Sequence, residues 1–182
     1  MQRWIVTALG KDRAGIVAGV TKVLYQLGCN LEDSAMTRLE GEFTIMLIFS
    51  APARLKDEAI RKAFVPLERS LGLAVHLKRL TKTETVTRKQ GRNYRISVYG
   101  ADRPGIVYKV SEHLARAGVN ITDVHTHRSP GSGRKSPSLY LLLLEVEVPP
   151  RLSSEALEAK LKRLAAGLRV EVSLHPSEPD VL

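Results

Sequence analysis

The chain has 182 residues, 43% of them hydrophobic and 26% charged, with a single cysteine and a formal net charge of +9 from 28 Lys and Arg against 19 Asp and Glu. That apolar share excludes disorder over most of the length, and the longest unbroken apolar run, Leu139 to Leu144, falls far short of the ~18 residues a membrane helix needs. The lone Cys29 excludes an intramolecular disulfide and a thiolate zinc site.

The N-terminus does not read as a signal peptide: Gln2, Arg3 and Trp4 lead into a short alternating stretch with Lys11, Asp12 and Arg13 close behind. A cytoplasmic, reducing location is expected. The charge surplus attracts anions of any kind. Its densest stretch holds Lys78, Arg79, Lys82, Arg88, Lys89, Arg92 and Arg95 against one acid, Glu84. Only Tyr94 stands beside these charges, and no helix-turn-helix pattern occurs, so sequence-specific nucleic-acid binding is not expected.

In chain order, residues 4–9 read as a short strand. Residues 15–27 carry apolar side chains at 16, 20, 23, 24 and 27, a helical spacing. Gly28 follows where such a helix would end. Residues 30–38 and 43–50 read as strands, 55–71 as an amphipathic helix, and 73–80 as a last strand. The order then repeats: strand 94–99, a helix ending before Gly118, strands 120–128 and 138–148, helix 153–166 and strand 168–174.

The repeat is written in the residues themselves. At an offset of 90, Asp12-Arg13-Ala14-Gly15-Ile16-Val17 answers Asp102-Arg103-Pro104-Gly105-Ile106-Val107. Between 10 and 38 the register holds without a gap, and 12 of 29 positions are identical. Beyond Arg128 the second copy gains six residues by sequence alignment, inside a Ser-, Gly- and Pro-rich loop over 129–138. Two domains are expected, 1–80 and 92–182, joined by a linker over 81–91. Each has the order β-α-β-β-α-β, a ferredoxin-like α+β arrangement with one four-stranded antiparallel sheet and both helices on one face. The run from Leu139 to Leu144 is apolar at successive positions, which predicts cover on both sides of that strand, by the helices on one and by the sister domain or another subunit on the other.

The loop between first strand and first helix is the candidate site. Free N–H groups and the positive helix end favour an anion there. Glycine at 15 and 105 lets the backbone approach a ligand. Asp12 and Asp102 can accept from an ammonium, and Arg13 and Arg103 can pair with a carboxylate. Together these suit an α-amino acid. The same residues also suit a plain helix start: Asp as a cap, Pro104 in the first turn, Gly in a tight turn. Asn30 and Asn120 open the second strands, either as turn residues bonding their own backbone or as amides reaching a ligand.

Four motifs of the first copy go together: the stretch from Val6 to Gly10, Asp12 to Val17, Gly28-Cys29-Asn30-Leu31-Glu32-Asp33-Ser34, and Glu42 to Leu47. On these the chain resembles the glycine cleavage system transcriptional repressor family, whose members are tandem ACT domains. The second copy, with Asp102 to Val107 and Gly118-Val119-Asn120-Ile121, is similar to ACT domains generally. The resemblance implies amino-acid binding where ACT domains meet. Asp12, Arg13, Ala14, Gly15, Asp102, Arg103, Pro104 and Gly105 would line such sites, and Asn30 and Asn120 would come from a neighbouring domain. It also implies action on a transcriptional activator, with glycine as modulator. A homo-oligomer is expected, with glycine or serine as the ligand. Ala14 departs from the proline usual there. Formyltetrahydrofolate deformylases and some phosphoserine phosphatases begin with similar segments, which leaves a regulatory subunit or ligand-independent adaptor for a metabolic enzyme as the alternative. No catalytic portion follows here, so the chain is not expected to be an enzyme.

Other chemistry is thinner. Asp123, His125 and His127 alternate, as metal ligands on one strand face would, but the first copy has Asp33, Ala35 and Thr37 there, and no metal is expected. Ser50 and Ser111 lack a nucleophile-elbow context. No phosphate-loop or dinucleotide fingerprint occurs, and no cofactor is expected.

Overall fold

The computed structural model describes residues 1–81, 91–130 and 138–177. The chain divides into two compact units, Met1–Thr87 and Arg88–Leu182. Of the expected linker over 81–91, residues 82–90 lie outside the described residues, as do residues 131–137 of the inserted loop.

The first unit runs β1 (Gln2–Lys11), α1 (Ile16–Gln26), β2 (Asn30–Leu39), β3 (Glu42–Ala51), α2 (Asp57–Leu71) and β4 (Ala74–Arg79). Its sheet has the order β2-β3-β1-β4, all antiparallel. Alternation decides which face is buried: Trp4, Val6 and Ala8 of β1 and Phe43, Ile45, Leu47 and Phe49 of β3 point to the helices. There they meet Ile16, Val20 and Leu24 of α1 and Ile60, Phe64 and Leu67 of α2 in one core. The other face carries Thr7 and Met46, cross-strand partners, and no element of the unit covers it.

The second unit repeats this with β5 (Arg92–Ala101), α3 (Ile106–Arg116), β6 (Asn120–Ser129), β7 (Leu139–Val148), α4 (Ser154–Leu168) and β8 (Val170–Pro176), sheet order β6-β7-β5-β8. Its core is Ile96, Val98, Val110, Leu114, Leu142, Leu144, Leu157 and Leu161 with their neighbours. The ferredoxin-like α+β fold expected for each copy is the observed one.

One expectation for β7 needs correction. Gly10 faces Phe43 across the sheet, whereas Gly100 faces Tyr140. The third strands are therefore equivalent at an offset of 97, and the second copy gains seven residues, not six. Leucine at nearly every position from 139 to 144 lets a sequence alignment slip by one, and a slip of one exchanges the faces of a strand. Within the unit the helices cover one side of β7 only: Leu142 and Leu144 are fully buried under them, while Leu139 on the open face is 39% exposed.

The edge strands β2 and β6 share an irregularity. The register of each against its neighbour shifts between Leu31 and Asp33, and between Ile121 and Asp123. Just past the bulge, Asp33 accepts the Ser34 N–H at 2.8 Å and Asp123 the Val124 N–H at 2.9 Å, so these aspartates support the strand's own backbone.

Candidate functional site: the helix-start loops

Each first helix begins on a glycine in the left-handed region, Gly15 at φ 95° and Gly105 at φ 92°. A side chain there would be strained, which accounts for glycine in both copies. The glycine carbonyls accept the first helical bonds, from Gly19 at 2.8 Å and Lys109 at 2.9 Å. No side chain caps either helix, and neither first turn contains an acidic residue. A Cβ added to Gly15 or Gly105 would meet nothing within 4 Å. Each helix start is thus without a side-chain cap and has open space beside its glycine.

The aspartates do not cap these helices. Asp12 takes a 3.0 Å ion pair from Arg38 at the far end of β2, and Asp102 a 2.8 Å pair from Arg128 of β6. Their own N–H groups bond Gly41 O at 2.9 Å and Ser138 O at 2.8 Å. The loop is pinned to the β2–β3 end of the sheet, and its carboxylate leans on a largely exposed guanidinium. The two copies differ at the next residue. Arg13 donates to the Ser70 carbonyl near the end of α2 at 3.1 Å; Arg103, exposed, has Gly167 at the corresponding place on α4. Ala14 and Pro104 are both exposed and complete the turn.

Asn30 and Asn120 stand elsewhere. Asn30 is opposite Ser50, which is opposite Arg3 at the start of β1; Asn120 is opposite Glu147. The loops follow the other end of β1 and β5. Eight strand residues separate Arg3 from Lys11, about 27 Å. Within one unit, therefore, the loop and the asparagine lie at opposite ends of the sheet and cannot touch the same small ligand.

Around Asn120 there is a cavity of about 480 Å³ lined by Gly91, Gly118, Glu147, Pro149, Pro150 and Arg151. Glu147 and Arg151 were not among the sequence candidates. The one signal available was the change from Ser50, which is buried, to a glutamate at the equivalent position.

Of the other candidate chemistry, His125 and Asp123 pair at 2.8 Å on the exposed face of β6. Among the described residues no group of three His, Cys, Asp or Glu side chains could hold a metal ion. Cys29 packs against the first core, and burial pushes its thiol above the ordinary value of 9.0, the wrong direction for a nucleophile. Among the described residues no helix is long and apolar enough to cross a membrane.

The sequence model of the ACT domain matches residues 2–78 and again 95–175. The chain is 24% identical over 172 residues to the glycine cleavage system transcriptional repressor of Escherichia coli K12, covering 94% of this chain and 88% of that protein. It is 36% identical over 73 residues to a UPF0237 protein of Streptococcus mutans, a stretch that covers 40% of this chain and 83% of the other. Among solved structures it resembles an unknown protein from Galdieria sulphuraria at a TM-score of 0.81 and 29% identity, over 97% of this chain and 99% of that one.

Proposed function

We propose that this chain, which belongs to the ACT domain family, is a regulatory protein rather than an enzyme, and that a small amino acid, glycine or serine, binds at its helix-start loops. The observation that carries this reading is the pair of uncapped helix starts on Gly15 and Gly105, with open space where a Cβ would stand. In a folded protein, orphan amides at a helix N-terminus find a partner, and with the helix dipole behind them an α-carboxylate suits that place. Asp12 and Asp102 supply a carboxylate for the ammonium, Arg13 and Arg103 a cation for the carboxylate, and Ala14 and Pro104 the turn between them. A glycine or serine leaves little side chain to accommodate.

Asn30 and Asn120 contribute from a neighbouring unit, since in their own unit they lie at the far end of the sheet. A ligand held across such a seam stabilises the assembly that forms the seam, and this gives it a difference in affinity between two states to act through. The readout is contact with another protein. The name of the Escherichia coli relative, a glycine cleavage system transcriptional repressor, supports a role in transcriptional control, and a transcriptional activator is the partner we propose.

A thermal-shift screen of the twenty amino acids against the full chain tests the reading. At a ligand concentration of 100 times Kd the stabilisation is about 2.7 kcal/mol, a rise of roughly 5–10 °C for a protein of this size. Glycine or serine is expected to give it. Gly15→Asp with Gly105→Asp should abolish the rise, measured against the variant's own lowered baseline. A flat screen at millimolar concentrations would leave the ligand-independent adaptor as the better account.

A further inference from the structure

The helices of the first unit leave a groove between them. It has a volume of about 470 Å³. Gly19, Val23, Ala63, Leu67 and Leu71 are among the residues that line it. A Cβ on Gly19 would come within 2.8 Å of Leu67 and 3.2 Å of Leu71, so the missing side chain is what lets the two helices close over these leucines. Pro66 also lines the groove, in the interior of α2. A proline there has no N–H for the Lys62 carbonyl and costs a helix about 3 kcal/mol.

With α1 equivalent to α3 at an offset of 90 and α2 to α4 at 97, the second unit carries Lys109, Lys160 and Arg163 where the first has Gly19, Ala63 and Pro66. The fold therefore does not require small or apolar residues at these places. The first unit keeps an apolar trough, helix-breaking proline included, where its sister has charged side chains.

The trough has a basic rim. Lys22 lines it, and α1 contains no acidic residue. Arg69 is exposed one helical turn beyond Pro66. Lys62, one turn before it, is also exposed but pairs with Glu58 at 2.8 Å. The other acids of α2 have partners of their own: Asp57 pairs with Arg79 at 3.6 Å, and Glu68 accepts from the Val75 N–H. We propose that this groove docks an amphipathic helix of a partner protein, with apolar anchors on one face and acidic side chains flanking them. Two copies of the groove would bring basic rims together, which disfavours a second copy of this chain as the occupant. Gly15 lines the groove at one end, so it begins where the ligand loop stops. The inference rests on the regulatory reading above for its purpose, and on the groove alone for its chemistry.

The test uses the full chain and a labelled synthetic helix of about 14 residues, long enough to lie along the ~16 Å of α1. It carries Leu at i, i+3, i+4 and i+7 and Glu on the flanks; its control replaces each Glu with Lys. The Glu peptide should bind at least ~10-fold tighter than the Lys peptide, a difference of about 1.4 kcal/mol. Ala63→Lys with Pro66→Arg, the residues the second unit already accommodates, should remove that binding and leave the thermal response to glycine unchanged. Equal binding of both peptides, or binding that survives the double substitution, overturns the proposal. So does a change in sedimentation of the double variant alone, which would make the occupant a second copy. Peptide discrimination without any amino-acid response would sink the ligand reading and leave the groove standing; the reverse result would do the opposite.

Discussion

Asp12 and Asp102 each commit their carboxylate to an arginine from the neighbouring edge strand, and this leaves the helix-start amides uncapped. Both arginine side chains are about two-thirds exposed, at 67% and 68%, so the pairs are worth at most about 1 kcal/mol each to stability. Their consequence is positional. With the guanidinium removed, the carboxylate is free to turn towards the amides and compete with a ligand's carboxylate. Arg38→Ala with Arg128→Ala should therefore shift the urea midpoint little, yet weaken the thermal response to glycine several-fold. Cys29 gives a second check at this scale. A thiol whose value is raised by burial favours the neutral form in the fold. Its contribution to stability is complete below pH 9 and declines as pH climbs through the raised value. Alkylation by iodoacetamide at pH 7.5 should be slower in the native protein than after unfolding in urea. The residue types at the loop were legible in the sequence because both copies repeat them. What each does was not legible: an aspartate before a helix is expected to cap it, and only the position of an arginine 26 residues away shows otherwise.

Most strands and helices followed from periodicity because one face of the element is buried and the other is not; the edge strands β2 and β6, which bury no residue, lack that signal. β7 is where that signal thins. Its leucines satisfy either register, and the true one is fixed by which of them lie beneath Leu157 and Leu161 of α4 in the second core. Adjacent substitutions separate the two registers. Leu142→Asp places an unpaired carboxylate in that core, at a cost of several kcal/mol, and should prevent the second unit from folding cooperatively. Leu143→Asp sits on the open face opposite Ser97 and His125 and should leave a urea transition close to that of the parent. Similar losses from both would mean the open face is covered after all. Phe64 of α2, 1% exposed, anchors the first core in the same sense, and Phe64→Ala should cost about 3–5 kcal/mol. The groove between α1 and α2 had no sequence signal of its own, since Gly19, Ala63 and Pro66 read singly as helix irregularities and only their meeting in space makes a trough.

For the molecule as a whole, the antiparallel sheet sets the constraint. A strand that starts beside the asparagine ends beside the loop, so if the proposed site needs both, one ferredoxin-like unit would offer half of it at each end and the whole at neither. The loop lesions Gly15→Asp with Gly105→Asp and the distant lesions Asn30→Ala with Asn120→Ala should both abolish the amino-acid response by calorimetry, although about 27 Å of strand separates them in each unit. A site contained within one unit's loop would spare the asparagine variant entirely. Mixing the two variants then identifies where the second half comes from. If loop and asparagine are supplied by different copies of the chain, mixed assemblies pair an intact loop with an intact asparagine and regain part of the response. If both are supplied by one chain, mixing two damaged chains restores nothing. Recovery on mixing would also make the response depend on protein concentration, because the seam that binds the ligand would itself have to assemble.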